Sequence, residues 1–453
     1  MPRLHRVLDA DAVTNLGAYS ARGGGRALDA ARAVEPEALI ELIERSGLRG
    51  RGGGGFPTGT KWRTVAGLDG NVAATVVVNG AEGEPGTLKD RTLLRRNPYR
   101  VLEGALIAAH AIGARRVVVG LKRSATAVQR RVETALDELR YGGWIDGVEM
   151  LVVADSDRYL LGEETALLEV IDGNPPFPRV APPYRSGVEP EAVTLVNNVE
   201  TLANVPAIVI DGPDAFRSMG TADAPGTIVC TVSGRTERAG VGEFALGTPL
   251  EDVLVELGGG STASVVAVLS GTAHPFLPAS ALDTALTWEA MSAAGGGLGA
   301  AGFIVLDDQV DLVAVAHGVS QFLSTESCGQ CSPCKDDGLA ITDVLDRIRR
   351  SAPEPDDLEV LPQLASRVTD GARCYLAQQH QNVVQSLLAQ FPDALAAHAD
   401  GRATSARSYP IVPLLDIVDD QAVLDLDNLD LEPDWGEGTG ATPSDRIDVR
   451  ATR

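Results

Sequence analysis

Four cysteines near the C-terminal end are the residues best suited to chemistry. Cys328, Cys331 and Cys334 recur at two-residue spacings in ESCGQCSPC, where Gly329 and Pro333 favour a turn around a compact guest. Cys374 follows 40 residues after Cys334, beyond helical stretches long enough to double back. Structural zinc sites tend to hold their ligands as two separated pairs, whereas an uninterrupted CxxCxxC with one remote cysteine is the pattern of cubane ligation. The expected guest is one [4Fe–4S] cluster, with zinc and free structural thiols as the alternatives. The fifth cysteine, Cys230, lies in the apolar run TIVCTVSG and reads as a small buried hydrophobe. Five cysteines in 453 residues are not a disulfide framework.

A second chemical feature is the glycine-dense loop GLRGRGGGGFPTGTKW at 47–62. Its glycines at 52–55 allow close backbone approach and present N–H donors, while Arg49, Arg51 and Lys61 add positive charge. That combination suits phosphate groups. The loop is neither GxGxxG nor GxxxxGKS, so ordinary Rossmann and phosphate-loop schemes lack their residues. NGAEGEPG at 79–86 follows a strand-like run, placing Asn79, Glu82 and Glu84 where α/β proteins bind ligands. YLLGEET at 159–165 opens a helix, where Glu163 and Glu164 either face a ligand or complement the helix dipole.

These pieces need a scaffold, and the hydrophobic pattern supplies one. Helix 36–47, strand 75–80, helix 98–112, strand 115–120, helix 124–140 and strand 148–155 alternate, which predicts a parallel sheet flanked by helices. The proline-rich 174–187 must be irregular and reads as a loop wrapping a site. Short β runs over 226–308, with a helix near 249–257, suggest a small α+β unit with little visible chemistry. Helices at 309–323, 335–350, 357–368 and 375–389 would carry the cysteines, and the acidic stretch from 403 should be extended or partly disordered.

A formal charge of −23 excludes a nucleic-acid footprint, which needs clustered Lys and Arg. Residues 411–453 hold eleven acidic against three basic side chains, so the acidity is spread beyond this tail. No run approaches the ~20 apolar residues of a membrane span, and MPRLHRVLDADAV has no apolar signal core. The cytoplasm is the expected location. The six histidines show no ligand-like spacing and read as surface or packing residues.

Taken together, GRGGGGFPTGTKW, NGAEGEPGTLKDR, YLLGEETAL, VNNVETLANVPA (195–207) and ESCGQCSPC with Cys374 resemble the flavin-bearing, NADH-binding F-type subunit of respiratory complex I and the related diaphorase subunits of NAD-linked hydrogenases and formate dehydrogenases. The likeness covers roughly residues 40–395. It implies an N-terminal extension at 1–35, a Rossmann-like FMN and NADH domain at 36–222 and a small β-grasp, soluble-ligand-binding domain at 223–308. A helical [4Fe–4S] bundle at 309–402 and an acidic tail at 403–453 would follow. By motif, Gly50, Arg51, Gly52, Gly53, Lys61, Asn79, Glu82, Tyr159, Gly162, Glu163, Glu164, Asn197, Asn198 and Thr201 would line FMN. Phe56, Glu84 and Tyr184 would meet NAD(H). The implied activity is NADH dehydrogenase: hydride passes to FMN and single electrons to the cluster, with no side chain acting as acid or base. A thioredoxin-like [2Fe–2S] subunit or a ferredoxin would be the partner, within a larger redox complex peripheral to the inner face of the membrane.

The chain departs from the family pattern at Thr64, where an aromatic follows the KW pair, at Ala81, where Asp is usual, and at Ala181, where a basic residue is usual. The Gly and Pro that follow the fourth cysteine are also absent. NADPH and ferredoxin therefore stay open as donors, as does a scaffold without dinucleotide binding. Protein prepared without oxygen should be brown and carry about four irons per chain; colourless protein with stoichiometric zinc contradicts the cluster assignment.

Overall fold

Valines build the first sheet. In the computed structural model, which describes residues 3–67, 74–188, 193–403 and 407–433, four parallel strands align in the order β3-β2-β1-β4. They are β1 (Ala74–Gly80), β2 (Arg116–Leu121), β3 (Glu149–Val153) and β4 (Val193–Asn198). Val77 stands beside Val118 on one side and Val196 on the other. Successive side chains point to opposite faces of a strand. Val76, Val78, Val117 and Val119 accordingly pack under the helices Pro36–Ser46, Pro98–Ile112, Thr126–Tyr141 and Val199–Asp211. Val77, Val118 and Val196 pack under Glu164–Ile171. Burial of each such side chain contributes roughly 1.5–3 kcal/mol, so the face assignment of every strand is strongly fixed.

The alternation of strand and helix appears as the sequence pattern implies. Four elements near the cleft were not legible. Helix Thr58–Ala66 occupies the end of what read as loop, and Lys89–Arg96 is too charged to show an apolar stripe. β4 and Val199–Asp211 carried a motif whose structure the pattern left undefined, and Pro206 inside that helix obscures it further.

A second sheet has the order β6-β5-β9-β7-β8. Its strands are β5 (Thr227–Gly234), β6 (Gly240–Ala245), β7 (Val265–Ser270), β8 (Leu277–Pro278) and β9 (Gly302–Asp307). The central pair β5 and β9 is parallel and the other neighbours are antiparallel. Helix Leu250–Gly258 covers one face, where Cys230 is fully buried as a core residue. The remaining unit is helical: Leu312–Glu326, Gly338–Arg349, Asp357–Arg367, Leu376–Gln390 and Pro392–Ala399, with a π-helical turn at Pro333–Asp337.

The first and last described stretches are tied down by buried carboxylates or strand pairing. Glu243 accepts the N–H groups of Arg6, Val7 and Leu8, and Glu103 accepts the Tyr19 hydroxyl and the N–H groups of Gly25 and Leu28. Residues 407–433, expected to be extended or partly disordered, are extended in part and pair as the hairpin β10 (Leu414–Val418) and β11 (Gln421–Leu424), which the composition did not suggest. The reason is that Ile411, Val412 and Leu414 are buried, so apolar anchors override the acidic composition. Residues 434–453 of the expected tail lie outside the described residues. Among the described residues, no helix is long and apolar enough to cross a membrane.

Helices Pro98–Ile112 and Val199–Asp211 touch backbone to backbone at Gly104, where an added Cβ would lie 2.1 Å from the Leu202 carbonyl oxygen. Backbone yields little, so Gly104→Ala should cost about 1–3 kcal/mol. A thermal unfolding midpoint equal to that of the native chain contradicts this packing.

Candidate functional site

The glycine loop is a closed finger. The Gly50 N–H donates to the Phe56 carbonyl and the Thr58 N–H to the Leu48 carbonyl, so its two ends are pinned while 51–55 bulge. Gly53 and Gly55 have φ of 119° and 62°, values that disfavour any side chain. A Cβ at Gly54 would meet nothing within 4 Å. This tip forms one wall of a cleft of about 700 Å³.

The cleft gathers fifteen of the seventeen residues the motifs nominate: Gly50, Gly52, Gly53, Phe56, Lys61, Asn79, Glu82, Glu84, Tyr159, Gly162, Glu163, Glu164, Asn197, Asn198 and Thr201. Arg51 and Tyr184 are not part of its lining. Arg51 turns away: its guanidinium donates to the carbonyls of Thr227, Arg49 and Pro225. Burial pushes its pKa down to about 10, and Glu200 at 4.0 Å supports the charge. Only its backbone serves the site, through the N–H that donates to Thr201 Oγ1. Arg51 is thus a brace between loop and second sheet rather than a phosphate-facing cation. Tyr184 stands on the half-exposed proline-rich loop.

Several lining carboxylates are already committed. Glu82 accepts the N–H groups of Asp90 and Arg91 and the Arg91 side chain, capping helix Lys89–Arg96. Glu163 caps helix Glu164–Ile171 through the Ala166 N–H, and Glu164 pairs with Lys61. Glu84 accepts the Tyr159 hydroxyl and both the N–H and hydroxyl of Thr272. Enclosure raises the Glu84 and Glu163 carboxyls and lifts the Tyr159 phenol well above its usual value, so the phenol stays a donor. The amides are positioned in the same way. Asn79 donates to the Gly162 carbonyl, Asn197 accepts from Trp62, and Asn198 donates to Asp90.

Sequence reasoning missed the far wall. Ser270, His274, Trp288, Tyr375 and Gln379 complete the cleft from the second sheet and the helical unit. The runs around 226–308 showed no motif, and only proximity reveals them. Asp90 also lines the cleft, and its signal was available in the run LKDR. Of the departures, Ala81 is buried in the cleft wall, whereas Thr64 is exposed and donates its hydroxyl to the Thr60 carbonyl. Ala181 does not line the cleft.

Cys328, Cys331, Cys334 and Cys374 face one small hollow with Leu160, Pro178, Gln330 and Leu376. Gly329, at φ 75°, makes the turn that presents the first three. Gln330 donates to Cys328 Sγ at 3.5 Å and to the Pro178 carbonyl, which docks the proline-rich loop here. Among the described residues, no three Cys, His, Asp or Glu side chains form a single-ion site. Burial raises the Cys328 and Cys374 thiols and pushes Cys334 up to about 11. Thiols shielded in this way need bound cations to become thiolates, and a cluster supplies them. The residues therefore fit a cubane. The cleft fits a flavin nucleotide by size, glycine tip and amide lining.

Comparison with known proteins then defines the class. Residues 43–207 match the Nuo51 FMN-binding domain, and residues 314–398 match the NADH-ubiquinone oxidoreductase-F iron-sulfur binding region. The F 2 subunit of NADH-quinone oxidoreductase from Rhizobium meliloti is 36% identical over 422 residues, 88% of this chain and 98% of that one. The HndC subunit of the NADP-reducing hydrogenase from Solidesulfovibrio fructosivorans is 34% identical across 87% of this chain and 84% of its own. The crystal structure of an NAD+-reducing [NiFe]-hydrogenase in the H2-reduced state superposes with a TM-score of 0.78 at 31% identity, covering 87% of this chain and 67% of that one. The chain belongs to the family of NADH-quinone oxidoreductase F subunits, oxidoreductases with an FMN-binding domain and one [4Fe–4S] region.

His274, in the cleft wall, is held neutral by burial with a pKa of about 4. Because only the unfolded chain takes up this proton between pH 6.5 and 4, stability should fall with pH in that window by up to about 1.4 kcal/mol per pH unit. The raised Glu84 and Glu163 act in the opposite sense, so the comparison is between variants. His274→Gln should lose less stability than the native chain from pH 6.5 to 4 in urea unfolding; parallel pH curves contradict a neutral His274.

Proposed function

We propose that the chain is the electron-entry component of an NADH dehydrogenase (quinone) type assembly, drawing reducing equivalents from NADH at the cleft and releasing single electrons through the four cysteines. One observation carries this reading: Leu160, Cys374 and Leu376 line the cleft and the cysteine hollow together. A nucleotide in the first is separated from a cluster in the second by one layer of side chains.

FMN bound in the cleft supplies the two-electron to one-electron conversion. The chain's own residues hold and shield it. The pinned loop 50–55 offers backbone donors, while Asn79, Asn197 and Asn198, oriented by partners behind the wall, present amides to the cleft. The closed Glu84–Tyr159–Thr272 hydrogen bonds and the Leu160–Leu376 layer exclude water from the path to the cysteines. Phe56, exposed at the rim, and Glu84 are the residues proposed to meet the dinucleotide; Tyr184 retains that assignment only if its loop moves.

The strand order β6-β5-β9-β7-β8 around a parallel central pair supports a β-grasp assignment for 223–308. We divide the chain accordingly at 36–222, 223–308 and 309–402. The proposed setting is a larger redox complex on the cytoplasmic side of a membrane, beside a [2Fe–2S] protein or a ferredoxin, because the relatives are named as subunits. The hydrogenase names among them support a diaphorase role as a second reading.

Anaerobic stopped-flow mixing tests the donor. NADH should bleach the flavin absorbance within the mixing experiment. Bleaching by NADPH or reduced ferredoxin but not NADH renames the donor, and a preparation that holds cluster but no flavin contradicts the reading.

A further inference from the structure

The stretch 407–433 lies outside both family matches, at 43–207 and 314–398. It is nevertheless fixed to every unit. Arg407 bridges to Val310, and the Arg91 side chain donates to the Leu414 and Leu415 carbonyls at 2.6 and 3.3 Å. Arg95 pairs with Asp416 at 2.7 Å, and the Ala239 N–H donates to the Asp420 carbonyl at 2.6 Å. At its far end the Pro433 carbonyl accepts from Lys335, the residue after Cys334, whose ammonium also holds the Ser324 and Ser327 carbonyls. The strap thus runs from the cleft's outer wall to the cluster turn.

Its outer surface is unusual in two ways. Leu415, Val418, Val423, Leu426, Leu429 and Leu431 are each about 40% exposed or more, six of the fifteen exposed large hydrophobics among the described residues. Concentrated exposed apolar surface marks an interaction site, whereas single exposed residues do not. From 408 to 433 the chain also carries Asp416, Asp419, Asp420, Asp425, Asp427, Asp430 and Glu432, with no Lys or Arg. Leucine and acid intermix through 425–432 (DLDNLDLE), so apolar and acidic side chains share this stretch.

We propose that residues 414–433 are the docking surface for a one-electron redox protein with a basic rim around an apolar patch, seated beside the cluster turn. Charge complementarity selects a basic occupant and repels an acidic one, and the Lys335–Pro433 contact puts that occupant next to Cys334. The proposal rests on the reading that electrons leave through the cysteines. It goes beyond that reading in naming where the acceptor sits and what charge it bears.

The test uses the full chain with FMN and cluster, reduced beforehand with dithionite so that the outcome does not depend on NADH. Stopped-flow oxidation is followed with the lysine-rich cytochrome c as the probe, and with ferricyanide as a small acceptor. The strap variant L426S/L429S/L431S should slow cytochrome c reduction about tenfold. It should leave ferricyanide reduction unchanged, and added salt should slow cytochrome c reduction by native chain and variant alike, because the variant keeps the acidic side chains. Val255→Ser, exposed on another unit, should leave both rates as they were. Equal cytochrome c rates in native and strap variant overturn the proposal. So does faster reaction with an acidic ferredoxin, or a native dimer by sedimentation that the strap variant dissociates, which assigns the patch to a second copy. Loss of ferricyanide reduction in the native chain instead sinks the electron-transfer reading itself.

Discussion

Leu160, Cys374 and Leu376 belong to two walls at once, and the rest of the architecture exists to keep them there. Leu160 comes from the turn after β3, in the first unit; Cys374 and Leu376 come from the start of helix Leu376–Gln390, in the helical one. Electron transfer across a single side-chain layer requires that these two units not drift. Several contacts hold them: Tyr159 Oη bonds Gln379 and Glu84, the Tyr159 N–H donates to Glu326, and the Tyr159 ring packs edge-on against Phe322. All but the Glu84 bond join the first unit to the helical one, so the wall is over-determined.

A buried charge network holds the opposite side of the cleft. Lys89 sits 2.7 Å from Asp90 and 3.0 Å from Glu200, and Arg51 stands at 4.0 Å from Glu200. All four are buried. Such a cluster is not a source of net stability, because desolvation offsets the attraction. What it supplies is direction. Asp90, pushed up to about 6 by burial with Lys89 pulling it down, accepts from Asn198, and Arg51 presents its N–H to Thr201. Side chains that face the cleft are thus aimed by charges that do not touch its contents, apart from Asp90 itself.

The division between what sequence disclosed and what it hid follows the range of the interactions. The parallel sheet, the four cysteines and the glycine wall were legible because each depends on local spacing: continuous valine runs between helices, CxxCxxC, glycines on a short loop; Asn197 and Asn198 entered through the resemblance. Arg51 was misread because its charge suggested a ligand, while its real partners, the Thr227 and Pro225 carbonyls, lie more than 170 residues away. His274, Trp288 and Gln379 were invisible for the same reason. Nothing in their neighbourhoods marks them, and only the meeting of three units brings them to the cleft. The hairpin after 413 was hidden by composition, since seven acids outweighed a few apolar anchors.

Rapid-freeze quenching after anaerobic mixing with NADH, read by electron paramagnetic resonance, addresses the shared wall most directly. The account predicts that the cluster gains its electron at the rate at which flavin reduction proceeds, without a slower separate phase. A flavin that is fully reduced while the cluster stays oxidised would show that Leu160, Cys374 and Leu376 separate two sites instead of joining them.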